Sequence, residues 1–439
     1  MAFMKRDLEL QLNHWKSSKR RKPLILRGAR QVGKTHLLKA FGKAQFTDLA
    51  YFNFEEDPRL EEFFEGKLDP LAIIKKLSIY RGAPIHHDRT LIVLDEIQSS
   101  SLAITSLKYF SENASQYPLI AAGSLLGIKL AGAKSFPVGK VDFLNLYPLT
   151  FFEFLVALGK QDLRQYLEDL KEPTPIPAPF HEDLIDLLRT YFFVGGMPEA
   201  VETYRAAEDL GEVRRIQNGI LKSYLLDFSK YAPPTEVIKI TQIWNAIPSQ
   251  LAKENKKFIF SAIAKSARAR EYESAIQWLC DAELILKVAR VEVPRFPLGG
   301  YADLSAFKVY FLDVGLLGAL SHLSAKMILH GDALFTEFKG ALNENFVSQE
   351  LTTHLEQALF YWKSASEAEV DFLIEYEGAV IPLEVKSGVS AHSKSLKEYQ
   401  KRFNPSLSVR ISPLNLERQS GLLNCPPYLI RVLLKSLLA

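Results

Sequence analysis

The stretch PLILRGARQVGKTHLLKAF, Pro23–Phe41, decides how the first third of the chain is read. A short apolar run ends in Arg27, and G-x-x-x-x-G-K-T follows from Gly28 to Thr35. An amphipathic segment then begins at once. Strand, glycine loop and helix in that order form the context in which this octapeptide binds phosphate. Gly28 and Gly33 let the backbone curl, so that the N–H groups of Gly28, Ala29, Arg30, Gln31, Val32 and Gly33 turn inward on an anion. The helix that starts with Lys34, Thr35 and His36 adds its positive end. Lys34 is expected to reach the β- and γ-phosphates of ATP, and Thr35 to bind Mg²⁺.

About sixty residues on, LIVLDEIQ (Leu91–Gln98) is an apolar strand closing in Asp95 and Glu96. Asp95 is assigned to the Mg²⁺ shell, and Glu96 to the attacking water as its base. PLIAAGS (Pro118–Ser124) ends a further strand with Ser124, placed to sense the γ-phosphate or to cap a helix. With LAYFNFEE (Leu49–Glu56), these continuous apolar runs predict a parallel sheet buried on both faces.

The chain has 439 residues, 47% hydrophobic and 24% charged, with a net charge of +3. That length exceeds a single core and predicts several domains. So small a net charge makes any basic surface a local one. Cys280 and Cys425 form neither a metal spacing nor a disulfide framework, and a cytoplasmic setting is the simplest reading. No run is apolar for long enough to make a membrane helix, so no membrane partner is expected. The N-terminal MAFMKRDLELQL reads as an amphipathic helix, and KSSKRRK (Lys16–Lys22) as a solvated basic loop.

Beyond the parallel sheet the pattern turns helical. The expected boundaries are 1–155 for the P-loop domain, 156–235 for a helical lid-like region, 236–300 for a winged-helix-like module and 301–439 for a last α/β domain. The proline-rich KEPTPIPAP (Lys171–Pro179) reads as a loop, and Gly195-Gly196 as a tight bend between helices. In the winged-helix segment a strand pair is expected by Val293. The lysines 253, 256 and 265 are balanced there by acids, with Glu271 and Glu273 opening the second helix.

GARQVGKTHLL, LIVLDEIQ, AAGSLLG, LYPLTFFEFL, GGMPEAV, KVYFLDVGLL, GALNENFVSQEL, YWKSASEAEVDFL and IPLEVKSG occur in this order. On these motifs the chain resembles the prokaryotic AAA-superfamily ATPases that carry a C-terminal domain of unknown function. The resemblance implies an α/β multidomain fold: a parallel-sheet P-loop NTPase, a helical and winged-helix middle, and a C-terminal α/β domain similar to the restriction-endonuclease fold. The family usually has an arginine within the segment that reads FPVGKVDF here (Phe136–Phe143). Lys140 keeps the charge and loses the bidentate fork. No clear arginine finger therefore marks a homo-oligomer.

The final motif pair is EVDFLIEYEGAVIPLEVK, Glu369–Lys386. A turn near YEGA (Tyr376–Ala379) would fold it into a hairpin with Asp371 beside Glu384. Alternation puts Glu384 and Lys386 on one face. Upstream, Glu344 lies near the apolar face of the helix formed by GALNENFVSQEL. A helix acid, a strand Asp and a Glu-x-Lys make up the restriction-endonuclease signature, in which Glu344, Asp371 and Glu384 hold Mg²⁺ or Mn²⁺ and Lys386 assists catalysis. The expected function is an ATPase coupled to a metal-dependent nuclease acting on DNA or RNA. The alternative is a nucleotide-switched module whose nuclease-like domain only grips nucleic acid or a protein.

Overall fold

The computed structural model describes residues 4–124, 127, 139–252, 257–263, 267–330, 336–355, 357–364, 368–388 and 393–437. Residues 136–138 of FPVGKVDF and the lysines 253, 256 and 265 lie outside them. The chain forms two compact units, Met1–Tyr147 with Asp281–Glu283, and Pro148–Cys280 with Leu284–Ala439.

The first unit is built on a parallel sheet. Its strands are β1 (Leu24–Arg27), β2 (Asp48–Asn53), β3 (Thr90–Asp95), β4 (Leu119–Ala122) and β5 (Asp142–Asn145), in the order β2-β3-β4-β1-β5. Every pairing is parallel. β3 is buried along its whole length, as a central strand covered on both faces must be. Helices α1 (Leu8–Ser17), α2 (Lys34–Gln45), α3 (Pro70–Arg81) and α4 (Ser101–Asn113) accompany the sheet. One core joins Ile92, Leu94 and Ala121 of the strands to Leu77, Leu107 and Phe110 of the helices. β5 has no counterpart in the sequence reading. Its DFLN is half-exposed and polar at both ends, the pattern of an edge strand and not of a buried run.

The second unit combines helices with a mixed sheet. α5 (Ala178–Val194) starts within the proline-rich segment, with Pro179 in its first turn, where a missing N–H costs nothing. The bend to α6 (Pro198–Ala207) is Gly195-Gly196. Buried Asp313 caps α7 (Val314–Leu320) through Leu316 N–H and also accepts from Gly196 N–H at 2.6 Å. Burial pushes its carboxyl up to about 6, against the pull of these backbone donors. Gly196 in turn accepts from Leu149 N–H at 2.7 Å. A Cβ on Gly196 would lie 2.1 Å from the Leu149 carbonyl oxygen, which is backbone and cannot swing away.

The sheet runs β12-β13-β11-β10-β9-β8-β6-β7, where β6 is Ile285–Val291, β7 Ala302–Phe311, β8 Phe360–Lys363, β9 Glu369–Tyr376, β10 Ala379–Val385, β11 Ser408–Ile411, β12 Glu417–Gln419 and β13 Leu422–Cys425. This corrects the winged-helix expectation. The partner of β6 is β7, which lies beyond residue 300, and β6 also pairs in parallel with β8. The wing is thus one end of the C-terminal sheet. A boundary at 300 would cut between hydrogen-bonded strands.

The helix α8 (Thr336–His354) buries Leu342, Phe346 and Val347. It also buries Asn345, Gln349 and Glu350, each matched to a partner. Asn345 bonds both backbone groups of Phe311, Gln349 accepts from Val314 N–H, and Glu350 accepts from Phe151 N–H. Polar residues on every side of a helix are tolerable in a core only when satisfied in this way.

Gly196→Ala should destabilise the protein by about 2 kcal/mol or more, because backbone must move. Gly219→Ala, on a helix with open space around it, should be neutral or stabilising by about 0.5–1 kcal/mol. Urea unfolding of both variants distinguishes the two sites; similar midpoints would contradict the packing described.

Candidate functional site

The order of the parallel sheet makes a crevice at its carboxyl edge. β1 lies between β4 and β5, so the chain leaves β1 towards β2 on one side and reaches β5 on the other. Ligands of open α/β sheets bind at such a reversal. The loop after β1 and the acids closing β3 both lie at this edge.

The loop conformation needs its glycines. Gly28 has φ 151° and Gly33 φ 95°. A Cβ on Gly28 would lie 2.3 Å from the carbonyl oxygen of Leu146, on the segment after β5. Val32 and Ala29 are buried, which fixes the loop from below. Arg30 pairs with Glu55 at 3.4 Å, while Gln31 and His36 are exposed. Arg6 supports the loop from behind: its guanidinium donates to Val32 O at 3.0 Å and to Tyr147 O at 2.6 Å. Nothing local marks Arg6 beyond its place in an amphipathic N-terminal segment.

Lys34 is buried and donates to Gly28 O at 2.8 Å and Ala29 O at 2.9 Å, so its ammonium lies across the loop. Burial pulls its pKa below the ordinary lysine value, against the opposing pull of Glu96, Glu283 and Asp95. Glu283, which packs with this unit, has a buried Oε2 without a hydrogen-bond partner among the described residues. Burial pushes the Glu283 carboxyl up.

Thr35 Oγ1 donates to Asp95 Oδ2 at 2.6 Å. Tyr51 Oη donates to the same oxygen at 2.8 Å, and Glu96 N–H to Asp95 Oδ1 at 3.0 Å. Asp95 is fully buried, so these donors stand in for water around its charge. Tyr51 is the second residue that sequence reasoning missed. Its signal was available: on β2, a phenol alternates with the buried Ala50 and Phe52. Glu96 sits in the left-handed region at φ 52°. Its carboxylate accepts from Gln98 Nε2 and, at 3.3 Å, from Ser124 Oγ. Glu96 and Ser124 are therefore linked directly. Lys140 forms a surface pair with Glu112 at 3.0 Å.

A hydroxyl and a carboxylate 2.6 Å apart are hard oxygen donors of the kind Mg²⁺ takes in nucleotide sites. The residues present fit that ion, and the curled loop fits the phosphates.

In the second unit, the hairpin turns at Glu377 and Gly378, both with positive φ, as a two-residue hairpin loop requires. The β9–β10 register pairs Phe372 with Leu383, which brings Asp371 opposite Glu384 one step further on. Val385 N–H donates to Asp371 Oδ2 at 2.9 Å. Direct cross-strand neighbours share a face. Glu384 is buried, with Lys386 Nζ at 2.7 Å from Oε1 and no partner at Oε2 among the described residues.

Glu344 and Asp371 also converge, but on a residue that sequence analysis had left without a role. Lys308 Nζ lies 3.8 Å from Glu344, 2.5 Å from Glu369 and 3.4 Å from Asp371. Tyr310 Oη donates to Glu344 at 3.0 Å. Among the described residues, no group of three or more His, Cys, Asp or Glu side chains is arranged to hold a metal ion. Lys386 is not the only cation at these acids: Lys308, and Lys363 at 3.5 Å from Glu369, add positive charge. The missed signal was a lysine amid the strand residues AFKVYF, where charge demands a partner.

Three family models match parts of the chain: an AAA domain at residues 20–155, a domain of unknown function (DUF8612) at 185–327 and another (DUF4143) at 339–426. Residues 20–155 are a P-loop ATPase domain of the AAA type. No curated protein matches. Among solved structures, a Walker-type ATPase of Pyrococcus abyssi is 15% identical, covering 72% of this chain and 96% of that one, with a TM-score of 0.45. The Aeropyrum pernix Orc1 protein in complex with DNA is 15% identical, covering 73% and 93% at a TM-score of 0.27. Drosophila ORC bound to DNA is 17% identical, covering 72% and 93% at 0.27. No helix among the described residues is long and apolar enough to cross a membrane.

Ser124→Ala should lower kcat for ATP by about tenfold with KM little changed, the effect of losing one hydrogen bond to a charged group. Steady-state hydrolysis measures it. An unchanged kcat would separate Ser124 from the placement of Glu96.

Proposed function

We propose that the chain is an ATP-hydrolysing switch whose C-terminal sheet grips nucleic acid and does not cut it. The observation carrying the first half is the hydrogen bond from Thr35 to Asp95, beside a loop whose glycines leave room for phosphate. Mg²⁺ would be held by Thr35 and Asp95, and when bound it offsets charge on the phosphates. Lys34 supplies the positive charge inside the loop. Glu96, oriented by Ser124 and Gln98, accepts the proton of the attacking water.

The choice of gripping over cutting is supported by Lys308, an ammonium set among the acids that a nuclease would give to its metal. The nucleic-acid partner, DNA or RNA, is supported by α9 (Lys394–Phe403). Lys394, Lys397 and Lys401 follow one another at helical spacing and are exposed, with Leu396 and Tyr399 buried behind them. Such a row suits phosphate contacts, which position without reading sequence.

Lys34→Ala should abolish nucleotide binding, and Glu96→Gln should keep it while lowering hydrolysis by at least ~10²-fold. Wild-type turnover in both would remove this site from the mechanism. With DNA and RNA panels in Mg²⁺ or Mn²⁺, salt-sensitive binding without cleavage is expected, weakened in Lys397→Glu. Cleavage abolished by Asp371→Ala would favour the nuclease reading instead.

A further inference from the structure

We propose that Lys308 is a built-in counter-ion, standing where the carboxylates of the C-terminal sheet meet and keeping that cluster free of divalent metal. The inference rests on the gripping role for this sheet and gives it a cause.

Lys308 lies on β7, between Phe307 and Val309, and is fully buried. A bare ammonium there would be too costly to keep charged, so its surroundings decide its state. Three carboxylates surround it, those of Glu369, Asp371 and Glu344. They come from β9 and α8, two elements distant in sequence from β7. The Tyr361 ring adds its face, with the centroid 5.1 Å from Nζ. All three carboxylates lie within 3.8 Å of the Lys308 Nζ and balance a charge that burial alone would not tolerate. Tyr310 donates its hydroxyl to Glu344 at 3.0 Å. With these acids around it, Lys308 stands as the ammonium of the cluster.

The remaining acid is matched separately. Glu384 pairs with Lys386, and Glu369 also reaches Lys363. Three lysines thus face four carboxylates, leaving one unit of negative charge. A divalent ion needs deprotonated oxygen ligands free to turn towards it. Here Glu344 and Asp371 already face an ammonium, and a second cation would meet its repulsion at close range. Glu384 Oε2 is a buried oxygen of this cluster without a donor among the described residues. It is the ligand that a metal would add if Lys308 were neutral. Methionine has a similar length and no charge, so Lys308→Met is the change that should open the site.

The experiment is Mn²⁺ binding to nucleotide-free protein, followed by electron paramagnetic resonance. It compares wild type, Asp371→Asn, Lys308→Met and Lys308→Met/Asp371→Asn, with circular dichroism to report folding. Wild type and Asp371→Asn should give the same weak binding. Lys308→Met should gain one site of at least tenfold higher affinity, lost again in the double variant, and Mn²⁺ should raise its melting temperature. Wild-type binding abolished by Asp371→Asn would overturn the proposal, and this arm does not need Lys308→Met to fold. A folded Lys308→Met that gains no Mn²⁺ would also overturn it. Neither readout measures nucleic-acid binding or cleavage, so a failure here is distinct from a failure of the gripping role.

Discussion

A buried carboxylate must find donors within the protein, and Asp95 finds them in the hydroxyls of Thr35 and Tyr51. That requirement ties three parts of the first unit together: the helix after the phosphate loop, the end of β3 and the neighbouring strand β2. The loop cannot drift from the acid without exposing Asp95 to an unpaired, dry environment. The same two oxygens, from Thr35 and Asp95, are the ones a hard cation takes. The bond that orders the site is thus made by the groups proposed to hold magnesium. Glu96 follows from Asp95 by one residue, in a left-handed conformation, and Ser124 holds its carboxylate.

The second unit meets a similar requirement with the opposite sign. Its buried charge is an ammonium, and the donors and acceptors are reversed. Lys308 draws acids from β9 and α8, and the hairpin register places Asp371 opposite Glu384. The Lys308 ammonium thereby ties β7, β9 and α8 together. Removing either partner of such an arrangement leaves an uncompensated charge, which is far more costly than the pair itself.

Much of this was legible in the sequence. The octapeptide, LIVLDEIQ and the apolar runs fixed four strands of the parallel sheet and the places of Lys34, Thr35, Asp95 and Glu96. The YEGA segment between two alternating runs marked the hairpin turn, and folding back there is what brings Asp371 towards Glu384. What escaped were residues whose roles depend on contacts distant in sequence. Arg6 bonds carbonyls 26 and 141 residues away. Lys308 meets acids 36 to 63 residues on, and no local period encodes that meeting. β5 was missed because an edge strand lacks the continuous apolar run that reveals a central one. The wing was assigned to a separate module because a strand pair was sought before Val293, whereas β6 pairs with β7 beyond residue 300 and, non-locally, with β8.

The central claim is that Thr35 and Asp95 form the magnesium-dependent half of an ATP site. Isothermal titration of ATP with Mg²⁺ and with excess EDTA, in wild type and Asp95→Asn, addresses it directly. Wild type should bind ATP at least tenfold more tightly with Mg²⁺, and Asp95→Asn should lose most of that difference while still binding the nucleotide. An equal gain from Mg²⁺ in both proteins would contradict the claim.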